Sequence, residues 1–425
     1  MGVRVSPAVI SGEGGTRREY DWPLHVVVLG AYMRFPFGMA GSSRARLLSR
    51  ALVEAGDEVR VLCLQASERP PGVENTRLRG IHEGVAFEYM TWTTLRHDSF
   101  FMRRLIAAWG WGHGAWRLAS LRSHGLLDVA YLFPDARPSL HQLVGLGLLR
   151  LLKVPAVWEL NERPWSLGKD TLIRRIWSPL AGMSGVVAIS GFLSAWVEAE
   201  AQRLHRSVET MEVPIVVDIQ EQPLTEYSTD GPPSVVFAGS PVYDQTIRFI
   251  LDAMNQVWRS VPECRLIITG ANPGDPAARW LFLEGLRDPR VRVAGYVSRK
   301  ELMGLYREAR ALLIPLFEDV RSTARFPTKI GEYLASARPV VTTAVGEIPR
   351  YFEDGVNAIV CRPGDTSDYA ERVVAILEDP GLAASIGCEG RRLAATRFHY
   401  ALHSETLHHG FAAVASTPPS IYRPS

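Results

Sequence analysis

Lysine is nearly missing from this 425-residue chain: it occurs at Lys153, Lys169, Lys300 and Lys329, and the other basic side chains that carry charge are arginines. That skew suggests a GC-rich bacterial genome, and it makes Lys329 conspicuous wherever it falls. Cysteine is also sparse. Cys63, Cys264, Cys361 and Cys388 show no C-x-x-C spacing, which excludes a zinc ribbon or a disulfide frame and leads us to expect buried thiols in a reducing, cytoplasmic compartment. The formal net charge is only +2, so no global field argues for a nucleic-acid partner. Residues 1–20 are polar and lack a long apolar core; they read as an N-terminal extension, neither a signal peptide nor an anchor.

What is present is ordinary globular composition, 47% apolar and 22% charged, on a chain too long for one core, so two domains of roughly 150–200 residues are expected. Val26 to Gly30 is a continuous apolar run, as in a strand buried on both faces. A loop with Gly38 and Gly41 follows, then a helical pattern over Leu47, Leu48, Ala51, Leu52 and Ala55 that Gly56 ends, then a strand from Glu58 to Leu64. This strand, glycine loop, helix and strand open a doubly wound α/β domain. The loop lacks G-x-G-x-x-G spacing, so a dinucleotide cofactor is not supported; it suits a sugar or phosphate, or a plain tight turn. Further strands are expected at 127–133, 154–160, 185–189 and 213–218. Asn161, Glu162, Arg163, Pro164 and Trp165 come directly after one of them, where open α/β sheets bind ligands.

Residues 221–233 are polar and rich in proline and turn formers, the best linker candidate. The same grammar then restarts. Strands are expected at 234–239, 265–270, 291–297, 311–315, 339–341 and 358–360. A strong helical repeat runs from Ile247 to Trp258, and Ser298-Arg299-Lys300-Glu301 is a capping box. Helices begin near Ser367 and Leu382. The organisation expected is an extension at 1–20, an α/β domain at 21–220, the linker, a second α/β domain at 234–400, and a C-terminal helix and tail at 401–425. Two such halves leave a cleft between them, a natural ligand site.

Two stretches carry chemistry. From Arg321 to Val341 a loop with several cations runs into a short helix and then a strand. Thr328 is expected to cap that helix, and Arg325 and Lys329 beside its N-terminus suit an anion such as phosphate. Glu332, one turn in, can accept hydroxyl hydrogen bonds, as from a ribose. The plain alternative is a crossover with solvated charges. Between 99 and 122, Phe100, Phe101, Arg103, Arg104, Trp109, Trp111, Trp116, Arg117 and Arg122 lie close together. Such a helix can lie on a membrane surface, form an acceptor or partner face, or merely pack.

Taken in register, these features resemble the retaining glycosyltransferases of family 4. The residues that carry the resemblance are the strand ending at Gly239, Leu266 to Gly270, Val293 to Ser298, Ala311 to Pro315, Glu332 to Val341, Val345 to Pro349 and Arg362 to Asp365. The resemblance covers about Leu24 to Phe398. It implies the GT-B fold, an α/β architecture of two Rossmann-like domains facing across a cleft. It implies a nucleotide-diphosphate sugar donor and a glycan, lipid-linked or natural-product acceptor. By it, Glu332 is the second glutamate of the paired-glutamate motif, on the ribose, and Gly295, Tyr296 and Val297 hold the base. The loop from Gly38 to Gly41 lies near the donor phosphates and sugar, and Asn161 and Glu162 fall where relatives carry a His-Asp pair facing the transferred sugar. Gly239, Ser240, Phe326 and Thr328 complete the expected donor contacts.

The departures are specific. The first motif glutamate is replaced by Ala324, and the arginine and lysine common after the first C-domain strand are replaced by Ser240 and Gln245. Pro327-Thr328-Lys329 matches a Pro-x-Lys variant, so Lys329 and Arg325 are expected to supply the lost charge. The resemblance then implies a front-face transfer with retention, in which cations stabilise the leaving diphosphate and neither a cofactor nor a metal is needed. The rivals are a sugar-nucleotide epimerase of similar shape and a relative that binds nucleotide sugar without transferring it. The expected location is the cytoplasm, with peripheral contact at the inner membrane face through 99–122 as one reading of that stretch.

Overall fold

Val26, Val27 and Val28 are at most 1% exposed, which a strand achieves only inside a sheet covered on both faces. The structure, a computed structural model, describes residues 23–416 apart from 32, 39, 70, 71, 134–139, 163–177, 228–230, 241, 242, 273 and 275. The N-terminal extension, Arg163, Pro164, Trp165 and the end of the tail lie outside the described residues.

The first sheet has eight strands: β1 (His25–Gly30), β2 (Glu58–Cys63), β3 (Arg79–His82), β4 (Val85–Tyr89), β5 (Val129–Phe133), β6 (Ala156–Leu160), β7 (Gly185–Ala188) and β8 (Glu209–Glu212). Their spatial order is β3-β4-β2-β1-β5-β6-β7-β8, parallel except for the β3–β4 hairpin at the edge. The second sheet holds β9 (Ser234–Ala238), β10 (Arg265–Thr269), β11 (Val291–Gly295), β12 (Ala311–Ile314), β13 (Val340–Thr343) and β14 (Ile359–Cys361). It is parallel throughout, in the order β11-β10-β9-β12-β13-β14. Each order reverses beside its first strand, between β1 and β5 and between β9 and β12. These are the two points where a crevice opens at the carboxyl ends of the strands.

Helices cover both sheets. In the first half these include α1 (Ala40–Glu54), α2 (Phe100–Ser123) and α3 (Leu140–Leu151). After the second sheet the chain returns to the first. Val217 donates its N–H to Phe398 (2.8 Å), Tyr400 donates back to Val217 (3.2 Å), and the helix Ser404–Ser416 sets Phe411 edge-on to Tyr131 at 5.0 Å.

Three expectations need correction. The run 213–218 is not the last strand of its half. That strand is β8, and Pro214, which has no N–H to offer a ladder, comes immediately after the Val213–Ala188 hydrogen bond that ends it. The β3–β4 hairpin had not been expected; its two-residue turn puts Glu83 at φ 49° and Gly84 at φ 79°, the left-handed pair of a tight hairpin turn. Cys63, Cys264 and Cys361 are buried as expected, and burial pushes each thiol up to about 12, but Cys388 is exposed.

Candidate active site

A cleft of about 1840 Å³ opens between the carboxyl ends of the two sheets. Its N-terminal wall includes Gly38 and Gly41, and Asn161 and Glu162 directly after β6. Its C-terminal wall includes Gly239 and Ser240 after β9, Tyr296 and Val297 after β11, and Arg325, Phe326, Thr328, Lys329 and Glu332. Thirteen of the fourteen singled-out residues thus share one cleft. Gly295 does not line it. It is buried at φ 71°, where its carbonyl accepts a hydrogen bond from Gly270 N–H (2.7 Å), so it shapes the turn that presents Tyr296. Gly38 has no room for a side chain: an added Cβ would lie 2.7 Å from the Arg34 carbonyl.

Lys329 opens a seven-residue helix, Lys329–Ala335, and Glu332 lies one turn along it. The Lys329 ammonium is 2.9 Å from one Glu332 carboxylate oxygen, the Arg299 guanidinium is 3.4 Å from the other, and the Tyr306 hydroxyl stands at 3.5 Å. Burial alone would raise the Glu332 carboxyl, but the Lys329 and Arg299 charges and hydrogen bonds outweigh it and hold the pKa below its ordinary value. Arg299 also pairs with Glu221, and Glu221 with Arg46 of α1. A chain of alternating charge therefore runs from the cleft wall through the connecting segment to the first half.

Two expectations about this stretch change. Thr328 sits at the helix start with helical backbone angles, φ −58° and ψ −24°, and its side chain makes no capping bond; a capping side chain needs extended angles to turn back on the first turn. Phe326 is 2% exposed. Its ring stacks on Tyr351 (5.6 Å) and meets Phe398 edge-on (5.6 Å), so it anchors the wall instead of offering its face to a ligand. Arg325 lies 4.5 Å over the Tyr243 ring, beside Arg321 at 4.8 Å. Its Nε is buried without a hydrogen-bond partner, and it forms no ion pair among the described residues. That is a cation on the cleft wall with charge to spare.

Ala324 is fully buried and absent from the cleft wall; its carbonyl accepts from the Ser190 hydroxyl at 2.6 Å. The short helix Val320–Ala324, capped by the Asp319 carboxylate on Ser322 N–H, turns this position inward. Sequence reasoning also missed the support under the N-terminal wall. The Arg44 side chain, 1% exposed, holds Glu159 at 2.5 Å and donates to the Val213 (2.9 Å) and Pro214 (2.6 Å) carbonyls, while Tyr131 donates to the other Glu159 oxygen. The partners of Arg44 are 115 to 170 residues away along the chain, too far apart for spacing to reveal. Among the described residues, no group of three or more His, Cys, Asp or Glu is arranged to hold a metal ion.

Residues 232–379 match the family model described as glycosyl transferases group 1. The chain is 25% identical over 183 residues to alpha-D-kanosaminyltransferase of Streptomyces kanamyceticus, covering 43% of this chain and 46% of the relative. It is 31% identical over 153 residues to D-inositol 3-phosphate glycosyltransferase of Xylanimonas cellulosilytica, 35% of each. The matched parts thus span less than half the length of these relatives. Among solved structures, sucrose-phosphate synthase from Thermosynechococcus elongatus superimposes with a TM-score of 0.68 at 16% identity, over 92% of this chain and 99% of that one. The Anabaena protein HepE, crystallised with UDP-glucose, gives 0.63 at 16% identity, over 92% and 99%. The chain has the GT-B fold. At these identities the superpositions establish architecture alone, and within GT-B terms the cleft is the space between the two Rossmann-like halves.

Proposed function

We propose that the chain is a retaining glycosyltransferase of the family 4 type, moving a sugar from a nucleoside diphosphate sugar to an acceptor hydroxyl. The observation that carries the reading is the Lys329–Glu332 pair on the wall of the interdomain cleft, inside the segment that matches the glycosyl transferases group 1 model. The names of the two relatives and the UDP-glucose bound to HepE support a nucleotide-sugar donor.

In this reading the base lies against Tyr296 and Val297, the ribose hydroxyls donate to Glu332, and the diphosphate meets Lys329 and Arg325. As the glycosidic bond breaks, negative charge grows on the leaving diphosphate, and cations already aimed there lower the barrier without reorganising. Arg325, with no carboxylate partner among the described residues, has its charge available for that task. The acceptor hydroxyl attacks the face the diphosphate leaves, and a diphosphate oxygen takes its proton. Asn161 and Glu162 hold the sugar from the N-terminal side, beside Gly38 and Gly41, the latter in the first turn of α1. The protein's own cations carry the neutralisation, so neither a metal nor a cofactor is required. A nucleotide-sugar donor and reduced cysteines suit a cytoplasmic protein.

Ala324 motivates a second reading, a relative that binds nucleotide sugar without transferring it. A thermal-shift screen against nucleoside diphosphates and nucleotide sugars, followed by an assay of nucleoside diphosphate release, separates the two. Donor-dependent stabilisation with slow release of the diphosphate is expected. Stabilisation with no release for any donor or acceptor favours the binder, and no stabilisation at all removes both.

A further inference from the structure

The N-terminal wall of the cleft carries positive charge that the described residues leave unneutralised. Between residues 64 and 111 the described residues lining the cleft include four arginines, Arg69, Arg96, Arg103 and Arg104, and one acid, Glu74. Glu74 stands 4.0 Å from Arg34, whose guanidinium also holds the buried Glu68 at 2.8 Å. None of the four lining arginines has a carboxylate partner among the described residues.

Backbone pairing gathers them. Ser67 and Glu68 donate their N–H groups to the Thr94 carbonyl at 3.0 and 2.9 Å, and Arg96 donates to the Glu68 carbonyl at 2.8 Å. Arg69 and Arg96 thus leave two segments that lie side by side. Arg103 reaches back from α2 to the His97 and Asp98 carbonyls, at 3.3 and 2.6 Å, and Arg104 lies 5.1 Å over the Phe100 ring. The rotation of α2 is fixed by Gly110, where a Cβ would fall 2.1 Å from the Leu64 carbonyl. Arg103, one and two turns before the buried Ile106 and Gly110, shares their inward face.

These guanidinium groups sit against their local electrostatic preference. Cations are unfavourable at a helix N-terminus, yet α2 has no acid in its first turn, Ser99 makes no capping bond, and Arg103 and Arg104 stand near the helix start. Like charges collected in one cleft also repel each other and focus its potential. An anion bound among them relieves both conflicts. Phosphate suits the site best, since its several oxygens can engage more than one guanidinium fork at once. In the proposed reaction the donor diphosphate meets Lys329 and Arg325 on the C-terminal wall, so a second anion belongs to the other substrate.

We propose that the acceptor carries a phosphate group, held by Arg69, Arg96, Arg103 and Arg104, while a separate hydroxyl of the same molecule receives the sugar. The acceptor assignment rests on the glycosyl-transfer reading of the cleft; the anion site itself does not.

The test is calorimetric titration of glucose 6-phosphate and of inorganic phosphate into the full chain held in saturating UDP, with glucose as the uncharged control. It is repeated on Arg69→Gln with Arg96→Gln, and on Arg103→Gln with Arg104→Gln. Glucose 6-phosphate should bind about tenfold or more tightly than glucose, and less tightly as salt rises. Each pair of substitutions should weaken that binding by about tenfold or more while UDP affinity and melting temperature hold. Equal binding of the phosphate ester and glucose overturns the proposal, as does an ester affinity that neither pair changes. Inorganic phosphate bound as tightly as the ester marks a site for the free ion and overturns the acceptor assignment. Loss of UDP affinity in the arginine variants overturns it too, because the arginines then serve the donor. UDP titrated alone reads the donor edge separately. A chain that binds the ester but no UDP keeps the anion site and removes the transfer reading, while one that binds UDP but no ester keeps that reading and overturns the phosphate-bearing acceptor.

Discussion

The Lys329 ammonium stands 2.9 Å from the Glu332 carboxylate, one helical turn apart on the cleft wall. In the proposed complex the two part company in function, Glu332 toward the ribose and Lys329 toward the diphosphate. Lys329→Ala should therefore lower turnover by well over about tenfold, since it removes transition-state charge stabilisation of several kcal/mol. Single-turnover measurement of diphosphate release checks it, and a near-normal rate would contradict the role.

Glu332→Gln should act mainly on donor binding, raising the donor KM with kcat little changed, because a ribose contact is equally present before and during reaction. It should also alter the acid limb of stability. Glu332 has a lower pKa folded than unfolded, so as pH falls the unfolded chain takes up the proton first. Its stabilisation is complete above the ordinary glutamate range and is lost as pH drops through the depressed folded value. Melting temperature followed from neutral to acid pH should fall less steeply in Glu332→Gln than in the wild type; parallel curves would contradict the linkage.

The chain Arg46–Glu221–Arg299–Glu332 joins the two halves through the donor edge. Arg299→Gln and Glu221→Gln should each weaken nucleoside diphosphate binding, and together by less or more than the sum, with a coupling of about 0.5–3 kcal/mol. A double-mutant cycle on Kd measures this, and strictly additive losses would show that the contacts do not act as one unit.

Ala324 marks where resemblance and structure part. Its side chain faces the core, so Ala324→Glu should bury an unpaired carboxylate and cost about 3 kcal/mol or more of stability without raising turnover. Chemical denaturation together with the release assay reads both quantities. A stable, faster Ala324→Glu chain would mean that the position reaches the sugar after all.

Alternation of apolar runs with amphipathic helices made the central strands of both sheets legible, because strands buried on two faces admit almost nothing polar, whereas β8, Glu209–Glu212, is polar and half-buried and was displaced to the apolar run after it. The β3–β4 hairpin was not legible: Arg79 to His82 is short, half-polar and lies at the sheet edge, where period and burial both fade. In the site, local chemistry singled out Lys329, Arg325 and Glu332, since all three fall on one loop and one helical turn, and all three line the cleft. What holds them did not show. Arg299 reaches Glu332 across 33 residues and Glu221 across 78, and only the folded chain brings such groups together. Phe326 was misjudged for a related reason, as its rings of contact, Tyr351 and Phe398, come later in the chain.

The central claim is that the cleft wall around Lys329 and Glu332 binds the donor nucleotide. Isothermal calorimetry with a nucleoside diphosphate panel, on the wild type and on Glu332→Gln and Lys329→Ala, tests it most directly. One-to-one binding of at least one diphosphate is expected, weakened about tenfold or more in each variant. Binding that is absent throughout the panel, or equal in all three proteins, would contradict it.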